Sequence, residues 1–164
     1  MARDTDRIEK QVLLKAPLDR VWRAISDAGE FGAWFGMEFD GDFVAGARLT
    51  GKIRPTKVDP DLAKLQEPHT GKSGVFVIDR VEPMRCFAFR WHPYAIEPGV
   101  DYSPEPMTLV LFELKEAPGG TLLTITESGF DRIPLARRAA AHRANEGGWE
   151  HQSRLIALYL ARAV

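Results

Sequence analysis

The sequence predicts an α+β fold in which a strongly curved antiparallel sheet of about six or seven strands wraps around one long C-terminal helix. Several runs in the middle of the chain alternate apolar and polar residues with a period of two, as half-buried strands do. Turn residues separate these runs, so the strands are expected to form an antiparallel meander. A helical pattern then begins at Pro134, and its apolar stripe needs a sheet to pack against.

The first elements are predicted to be a strand and two short helices. Residues 8–15 alternate as in a strand. Pro17 then suits the first turn of a helix, because its missing N–H would have no partner there in any case. The apolar stripe of this helix comprises Leu18, Val21, Trp22 and Ile25. Gly29 is expected to end it. A second helix follows, and its stripe comprises Phe31, Trp34 and Phe35.

Strands, turns and one long loop are predicted for the middle of the chain. Short strands are expected at 37–40, 43–44 and 47–53. The polar stretch 54–72 contains three prolines and is interpreted as a long loop with one helical turn near 62–65. Longer strands are expected at 74–81, 85–92, 107–114 and 121–129.

The C-terminal helix is expected to pack on the concave face of the sheet. Its apolar stripe comprises Trp149, Gln152, Ser153, Ile156, Tyr159, Leu160 and Ala163. Gly147 and Gly148 should weaken or bend the helix, since each glycine costs roughly 1 kcal/mol relative to alanine. Two basic residues near its start, Arg137 and Arg138, are interpreted as part of a solvated face.

Composition and charge argue against several classes of function. The chain has 164 residues, which suits a single domain spanning 1–164 with its core at about 8–160. With 22 basic and 23 acidic residues, the net charge of −1 predicts neither a nucleic-acid-binding nor a membrane-binding surface. The N-terminus lacks the apolar segment of a signal peptide. One cysteine, Cys86, favours a reducing, cytoplasmic location.

No cofactor or metal is expected. No two of the four histidines are spaced four residues apart, and Cys86 has no second cysteine, so metal ligands are not grouped in the sequence. The run Gly71-Lys72-Ser73 is similar to the end of a phosphate-binding loop. However, Gln66 stands where that motif needs glycine, and a strand follows it instead of a helix.

Three motifs occur in a characteristic order. They are Ala16-Pro17 followed by Val21-Trp22, the run from Gly119-Gly120-Thr121 to Glu127-Ser128-Gly129-Phe130, and Gly147-Gly148-Trp149. Together they resemble the SRPBCC superfamily of START-like, helix-grip domains, and within it the activator of Hsp-90 ATPase homologue family. The resemblance covers roughly residues 8–160. It implies the helix-grip fold and either a cavity for small apolar or amphipathic molecules or a surface that contacts a chaperone.

Aromatic and apolar side chains on both layers are predicted to line that cavity, with core packing as the alternative interpretation. The predicted ligand-binding residues are Trp22, Phe31, Trp34, Phe35, Phe76, Phe87, Phe89, Trp91, Val110, Phe112, Ile125, Glu127, Trp149, Ser153, Ile156 and Tyr159.

Two polar residues are candidates for catalysis. Glu127 shares the concave face with Leu123 and Ile125, where a carboxylate must be paired, hydrated or protonated. It is expected either to act on a ligand, as an anchor or as a general acid or base, or to lie at an exposed strand end paired with an arginine. His92 is interpreted as a rim residue that binds a ligand or transfers a proton, or as an exposed turn histidine. Further polar groups expected to orient a ligand are Ser153, Tyr159 and Tyr102.

Three functions are consistent with these residues. The first is a cytoplasmic protein that binds a small molecule in an internal apolar cavity. The second is a cyclase-like or hydratase-like enzyme that uses the same cavity, since helix-grip relatives include polyketide cyclases. The third is a chaperone-interacting module, which predicts an exposed apolar patch. A homodimer through the convex sheet face is also expected, unless the apolar residues there pack beneath the long loop. Those residues are Met107, Leu109, Leu111 and Leu122.

Overall fold

The computed structural model describes residues 7–95 and 99–162. In chain order the elements are β1 (Arg7–Leu14), α1 (Leu18–Ser26), α2 (Ala28–Phe35), β2 (Met37–Phe39), β3 (Arg48–Ile53), α3 (Pro60–Gln66), β4 (Ser73–Glu82), β5 (Cys86–Trp91), β6 (Thr108–Ala117), β7 (Gly120–Ser128) and α4 (Leu135–Arg162). Residues 1–6 were used for the signal-peptide prediction, and Ala163 was the last member of the predicted apolar stripe of the C-terminal helix. These residues lie outside the described ranges.

Seven antiparallel strands form one curved sheet in the order β1-β7-β6-β5-β4-β3-β2, and α4 packs against it. This arrangement confirms the predicted fold. β1 pairs with β7 along its whole length, from Arg7 opposite Ser128 to Leu14 opposite Thr121. The first strand of the chain therefore becomes the edge beside the last strand.

The strand faces follow the predicted alternation, which is clearest on β7. There, Leu123, Ile125 and Glu127 are buried, and the residues between them are half-buried. The four apolar residues assigned to the convex face are likewise half-buried. The strand predicted at 43–44 is wrong, because the backbone turns there and Ala47 donates to the carbonyl oxygen of Val44 at 2.9 Å. Phe43 instead contributes a buried ring to the core.

Asp27, and not Gly29, separates the first two helices. Its side chain accepts a hydrogen bond from the backbone N–H of Glu30 at 2.8 Å and so caps the start of α2. Gly29 lies inside the first turn of α2, so the prediction that it ends α1 is wrong. The second helix stops at Gly36, whose φ of 93° suits the left-handed conformation that commonly ends helices.

The predicted helical turn in the stretch 54–72 is a complete short helix, α3. Asp59 caps it by accepting from Asp61 N at 2.8 Å, and Pro60 occupies the first turn. Gln66 at its end accepts from Thr56 N at 2.7 Å and donates to the carbonyl oxygen of Phe35 at 3.1 Å. The stretch is therefore fastened to the end of α2.

Helix α4 runs without a break from Leu135 to Arg162, so the two glycines in its middle do not interrupt it. The helix buries Trp149, Leu155 and Ile156 against the rest of the protein. Such packing outweighs the low helix propensity of glycine. No helix in the described ranges 7–95 and 99–162 is both long and apolar enough to cross a bilayer.

The space between α2 and the sheet is filled by closely packed rings, which we call the aromatic core. Its members are Phe31, Trp34, Phe35, Phe39, Phe43, Phe87, Phe89 and Phe112. Phe31 lies at the centre, with its ring centroid 4.7 Å from Phe35, 4.8 Å from Trp34 and 5.4 Å from Phe43. Much of the region in which the sequence predicts a cavity is therefore occupied by side chains.

Candidate functional site

An open depression of about 770 Å³ lies between β4, β5 and the first half of α4. Phe76 and Trp91 provide its apolar wall from the sheet, and their ring centroids are 5.4 Å apart. Part of its rim comes from residues that follow β5, namely His92, Tyr94, Ala95 and residues 100–103. The volume falls within the range of about 300–1,000 Å³ that is usual for small-molecule sites.

The depression exists because the helix above it carries small side chains. Ala144, Asn145 and Gly148 are the helix residues that line it. Apart from its chain neighbours and the nearby backbone of its own helix, a methyl group added to Gly148 would meet no atom of the described residues within 4 Å. Strand β5 also ends early at Trp91, since Pro93 cannot donate to a strand ladder, and this leaves the first residues of β4 without a partner on that side.

The carboxylate of Glu127 lies behind this wall, fully buried. Its Oε2 accepts from Trp91 Nε1 at 2.7 Å and from Thr108 Oγ1 at 2.5 Å. Its Oε1 accepts from Trp149 Nε1 at 2.8 Å. Asn145 Nδ2 donates to both oxygens, at 2.9 and 3.1 Å. The interpretation of Glu127 as an exposed residue paired with an arginine is therefore wrong.

These hydrogen bonds make Glu127 an organising group. A buried carboxylate is tolerated only where its oxygens are hydrogen-bonded, and here three strands and α4 are joined through it. An indole N–H can only donate, so Trp91 and Trp149 are fixed in orientation by the carboxylate. Glu127 itself does not line the depression, whereas Trp91 and Asn145 do. Its influence on a ligand therefore acts through those two residues.

His92 lies on the rim, half-buried, and is oriented by the backbone. Its Nε2 lies 3.0 Å from the carbonyl oxygen of Glu105. A carbonyl oxygen only accepts, so Nε2 carries the hydrogen and Nδ1 is left as the acceptor of the neutral ring. The predicted acid–base candidate thus lies on the rim of the depression, and among the described residues no hydrogen bond joins it to Glu127.

Arg137 fastens the rim to the start of α4. Its guanidinium donates to the Glu105 carboxylate, with an Nη2–Oε1 distance of 2.7 Å, and to the carbonyl oxygens of Pro93 and Tyr94 at 3.1 and 3.0 Å. It also lies over the ring of Tyr102, 4.8 Å from the centroid. The sequence interpretation of Arg137 as a solvated residue is wrong, because these partners come from a loop distant in the chain.

The predicted ligand-binding residues divide into two groups. Phe76 and Trp91 line the depression, as do the additional candidates His92 and Tyr102. The fully buried members that instead pack in the interior are Phe31, Trp34, Phe87, Phe89, Val110, Phe112, Ile125, Trp149 and Ile156. Phe35 is nearly buried, and Trp22 packs against the core from a half-buried position.

Two predicted polar ligand contacts have protein partners of their own. Ser153 Oγ donates to the carbonyl oxygen of Trp149 at 2.8 Å, one turn earlier in α4. Tyr159 OH donates to Glu30 Oε1 at 2.8 Å, and Arg20 reaches the same oxygen at 2.7 Å. Neither Ser153 nor Tyr159 lines the depression.

This Arg20–Glu30–Tyr159 cluster joins α1, α2 and α4. Burial would raise the pKa of Glu30, but hydrogen bonds from Tyr159 and Arg20 and the charges of Arg20 and Arg23 outweigh it, so the pKa of Glu30 is lowered. Burial and the hydrogen bond to Glu30 raise the pKa of Tyr159. The cluster therefore favours an ionised carboxylate with a neutral phenol and stabilises the helix contacts.

Sequence reasoning missed Asn145, Gly148 and the basic residues Arg48 and Lys72, all of which line the depression. Lys72 Nζ is hydrogen-bonded to His69 Nδ1 at 2.9 Å on the same rim. The motif Gly147-Gly148-Trp149 was the available signal for the helix contribution, since it places a residue without a side chain beside a buried indole.

Other chemistry finds less support in the described part of the chain. No group of three or more His, Cys, Asp or Glu side chains is placed to hold a metal ion there. Burial, followed by the charge of Glu82, raises the pKa of the Cys86 thiol, which makes it a poor nucleophile. A second depression of about 480 Å³ lies between α2 and segment 37–57, and charged residues such as Arg54 and Lys57 border it.

The sequence matches one described family over most of its length. The family is described as Activator of Hsp90 ATPase homolog 1-like protein, and the match covers residues 15–161. No protein of curated function matches the chain.

Solved structures with the same fold include several bacterial proteins. DynU16, a protein in the dynemicin biosynthetic locus, is 25% identical with a TM-score of 0.67, and the match covers 96% of this chain and 48% of DynU16. The chain thus spans about half the length of that protein. A protein from Mesorhizobium loti is 21% identical, with coverages of 96% and 98% and a TM-score of 0.69. One from Mycobacterium smegmatis is 18% identical, with coverages of 98% and 94% and a TM-score of 0.69.

Proposed function

Since the chain belongs to the Activator of Hsp90 ATPase homolog 1-like family, we propose that it uses its helix-grip fold to bind a small amphipathic molecule in the depression beside α4. The observation that carries this proposal is the open space of about 770 Å³ between the aromatic wall and the small residues of the helix. It is a site of the expected size, whereas the space between α2 and the sheet is filled by the aromatic core.

The lining suits a ligand with an apolar body and a few polar groups. Phe76 and Trp91 offer ring surfaces, and His92 and Asn145 offer polar atoms beside them. Burying about 150 Å² of apolar ligand surface contributes roughly 4 kcal/mol, which mainly offsets the translational and rotational freedom that the ligand loses on binding. Polar contacts would then supply the remaining affinity and the specificity.

Filling the depression from the helix tests the proposal. The probe is N-phenyl-1-naphthylamine, whose fluorescence rises in apolar sites. We expect wild type to bind it and Gly148→Leu to weaken binding at least tenfold, because the added side chain occupies the site. Gly147→Leu is the matched control, since Gly147 is the neighbouring helix glycine, has equal free space and does not line the depression. No binding by wild type, or equal binding by both variants, would contradict the proposal.

A second candidate function is catalysis in the same depression. His92 favours it, because its Nε2 is held by a carbonyl oxygen and its Nδ1 is left to accept a proton. The likeness to DynU16, a protein in the dynemicin biosynthetic locus, is consistent with an enzyme.

Mass spectrometry of the protein from its own host separates the two functions. A retained molecule that returns unchanged after incubation with fresh protein indicates a binding protein. Conversion to a product of different mass, which His92→Gln abolishes while retaining binding, indicates an enzyme. Contact with a chaperone and homodimer formation remain predictions.

A further inference from the structure

We infer that the molecule bound in the depression is a hydroxylated aromatic compound, recognised through hydrogen bonds that it donates to Asn145 Oδ1 and His92 Nδ1. The inference rests on the proposed function, because it assigns the ligand class of the same site. It follows from the hydrogen bonds that fix these two side chains, from Asn145 to Glu127 and from His92 to the carbonyl oxygen of Glu105.

Asn145 is held by Glu127. Both carboxylate oxygens lie within 3.1 Å of the amide nitrogen, so the nitrogen must point toward them, since an amide oxygen there would oppose two acceptors. The amide oxygen consequently points away from Glu127. Among the described residues, Gln152 Oε1 is the buried side-chain oxygen without a hydrogen-bond partner, so Asn145 Oδ1 is not sealed in the interior. Asn145 lines the depression, which makes this oxygen an accessible acceptor.

His92 is held in a similar way by the rim. The carbonyl oxygen of Glu105 accepts from Nε2, so in the neutral ring Nδ1 accepts. Glu105 is itself fixed by the bidentate contact with Arg137. Among the described residues, the hydrogen-bonded ring nitrogen of His92 is Nε2, which leaves Nδ1 available as an acceptor.

Two oriented acceptors select for a donor. When a ligand displaces water from the depression, each acceptor that gains no new donor is left unpaired, which lowers affinity by about tenfold. A hydroxyl or phenol group restores the lost hydrogen bond, whereas an ether or a hydrocarbon does not. Specificity of this kind is strong because the protein groups are fixed before the ligand arrives.

The remainder of the lining favours a flat aromatic body. Trp91, Phe76, Tyr94 and Tyr102 all border the depression, and aromatic rings pack well against one another in stacked and edge-on contacts. Asn145 holds Trp91 indirectly in place, because both donate to Glu127. The aromatic wall and the acceptor oxygen are thus arranged by one carboxylate.

Two matched probes test the inference. 2-Naphthol carries a hydroxyl donor, and 2-methoxynaphthalene has the same ring system without the donor. We expect isothermal titration calorimetry to show that wild type binds 2-naphthol at least tenfold more tightly. Equal affinities would overturn the inference and leave the proposed function intact. Binding of neither probe would overturn both.

Variants test the two assigned residues. 2-Naphthol has one O–H and donates to one acceptor at a time, so at least one of Asn145→Leu and His92→Phe should lower the ratio of the two affinities several-fold, chiefly by weakening 2-naphthol binding. Gln11→Leu, which removes an amide from β1 on a strand far from the depression, should leave the ratio unchanged. The ratio is independent of a general loss of folded protein, which weakens both probes equally. A wild-type ratio in both variants would overturn the assignment.

Discussion

The concave face of the sheet has two halves, one under α2 and one beside the first half of α4. Both halves carry aromatic residues on the strands, but only the first is filled by side chains from the covering helix. Under α2 the space is closed by Phe31, Trp34 and Phe35, and the aromatic core is continuous. Beside the first half of α4, Phe76 and Trp91 face an open depression. Side-chain volume on the covering helix, and not aromatic content of the strands, therefore decides where this fold has room for a ligand.

The largest effect is expected in the filled half. Phe31→Ala should lower the free energy of unfolding by about 3–5 kcal/mol, because Phe31 is fully buried at the centre of the aromatic core. Tyr94→Ala on the rim, where the side chain is 40% exposed, should cost less than about 1 kcal/mol. Urea denaturation of both variants measures the difference, and similar costs would break the comparison.

Glu127 lies at the boundary of the two halves, and Glu127→Ala should lower the free energy of unfolding by about 3 kcal/mol. It leaves the donors of Trp91, Trp149 and Asn145 without their acceptor in a buried environment. Glu113→Ala on β6 is the control, because that side chain is exposed and its removal should change stability by less than about 0.5 kcal/mol. Equal results would show that the carboxylate organises nothing.

Glu30 is expected to contribute about 1 kcal/mol to the free energy of unfolding, and this contribution should depend on pH. Because folding lowers its pKa below the ordinary value of 4.5, its contribution is present above that pH and is lost as the pH falls through the folded pKa. Glu30→Gln should therefore be less stable than wild type at pH 6, and the two should converge toward pH 3. Denaturant titrations across this range measure it, with Glu38→Gln as an exposed control. A difference independent of pH would contradict the assigned role.

The smallest effect is a gain in stability for Gly148→Ala of about 0.5–1 kcal/mol, since alanine favours the helix and meets open space. Gly147→Ala should behave alike in thermal denaturation. A destabilised Gly148→Ala alone would mean that the depression is closed in solution.

Alternation in the sequence was sufficient to predict the longer strands and their faces. Glu127 was correctly placed on the concave side with Leu123 and Ile125. Every second residue of a strand points to the same face of the sheet, and this holds for any neighbouring strand. The long helix and the two short helices followed from apolar spacing in the same way. These features depend on residues close together in the chain.

Features that depend on distant residues could not be predicted. The partners of Arg137 lie 32 to 44 residues away, in a loop whose path no local pattern specifies. Likewise, Phe87 and Trp91 lie on the same face of β5, and the helix that covers each one decides between core and depression. Gly148 was interpreted through its helix propensity, although its lack of volume is what shapes the site.

The buried position of Glu127 separates substitutions that disturb the interior from substitutions that reshape the depression. A change at Glu127 disturbs the interior, whereas Val100, Tyr102 and Ser103 on the rim contact the depression without belonging to the core. Substitutions at the rim are therefore expected to change the shape and polarity of the depression while the hydrogen bonds of Glu127 stay intact. The two regions can thus be altered separately, and changes at the rim carry little risk to folding.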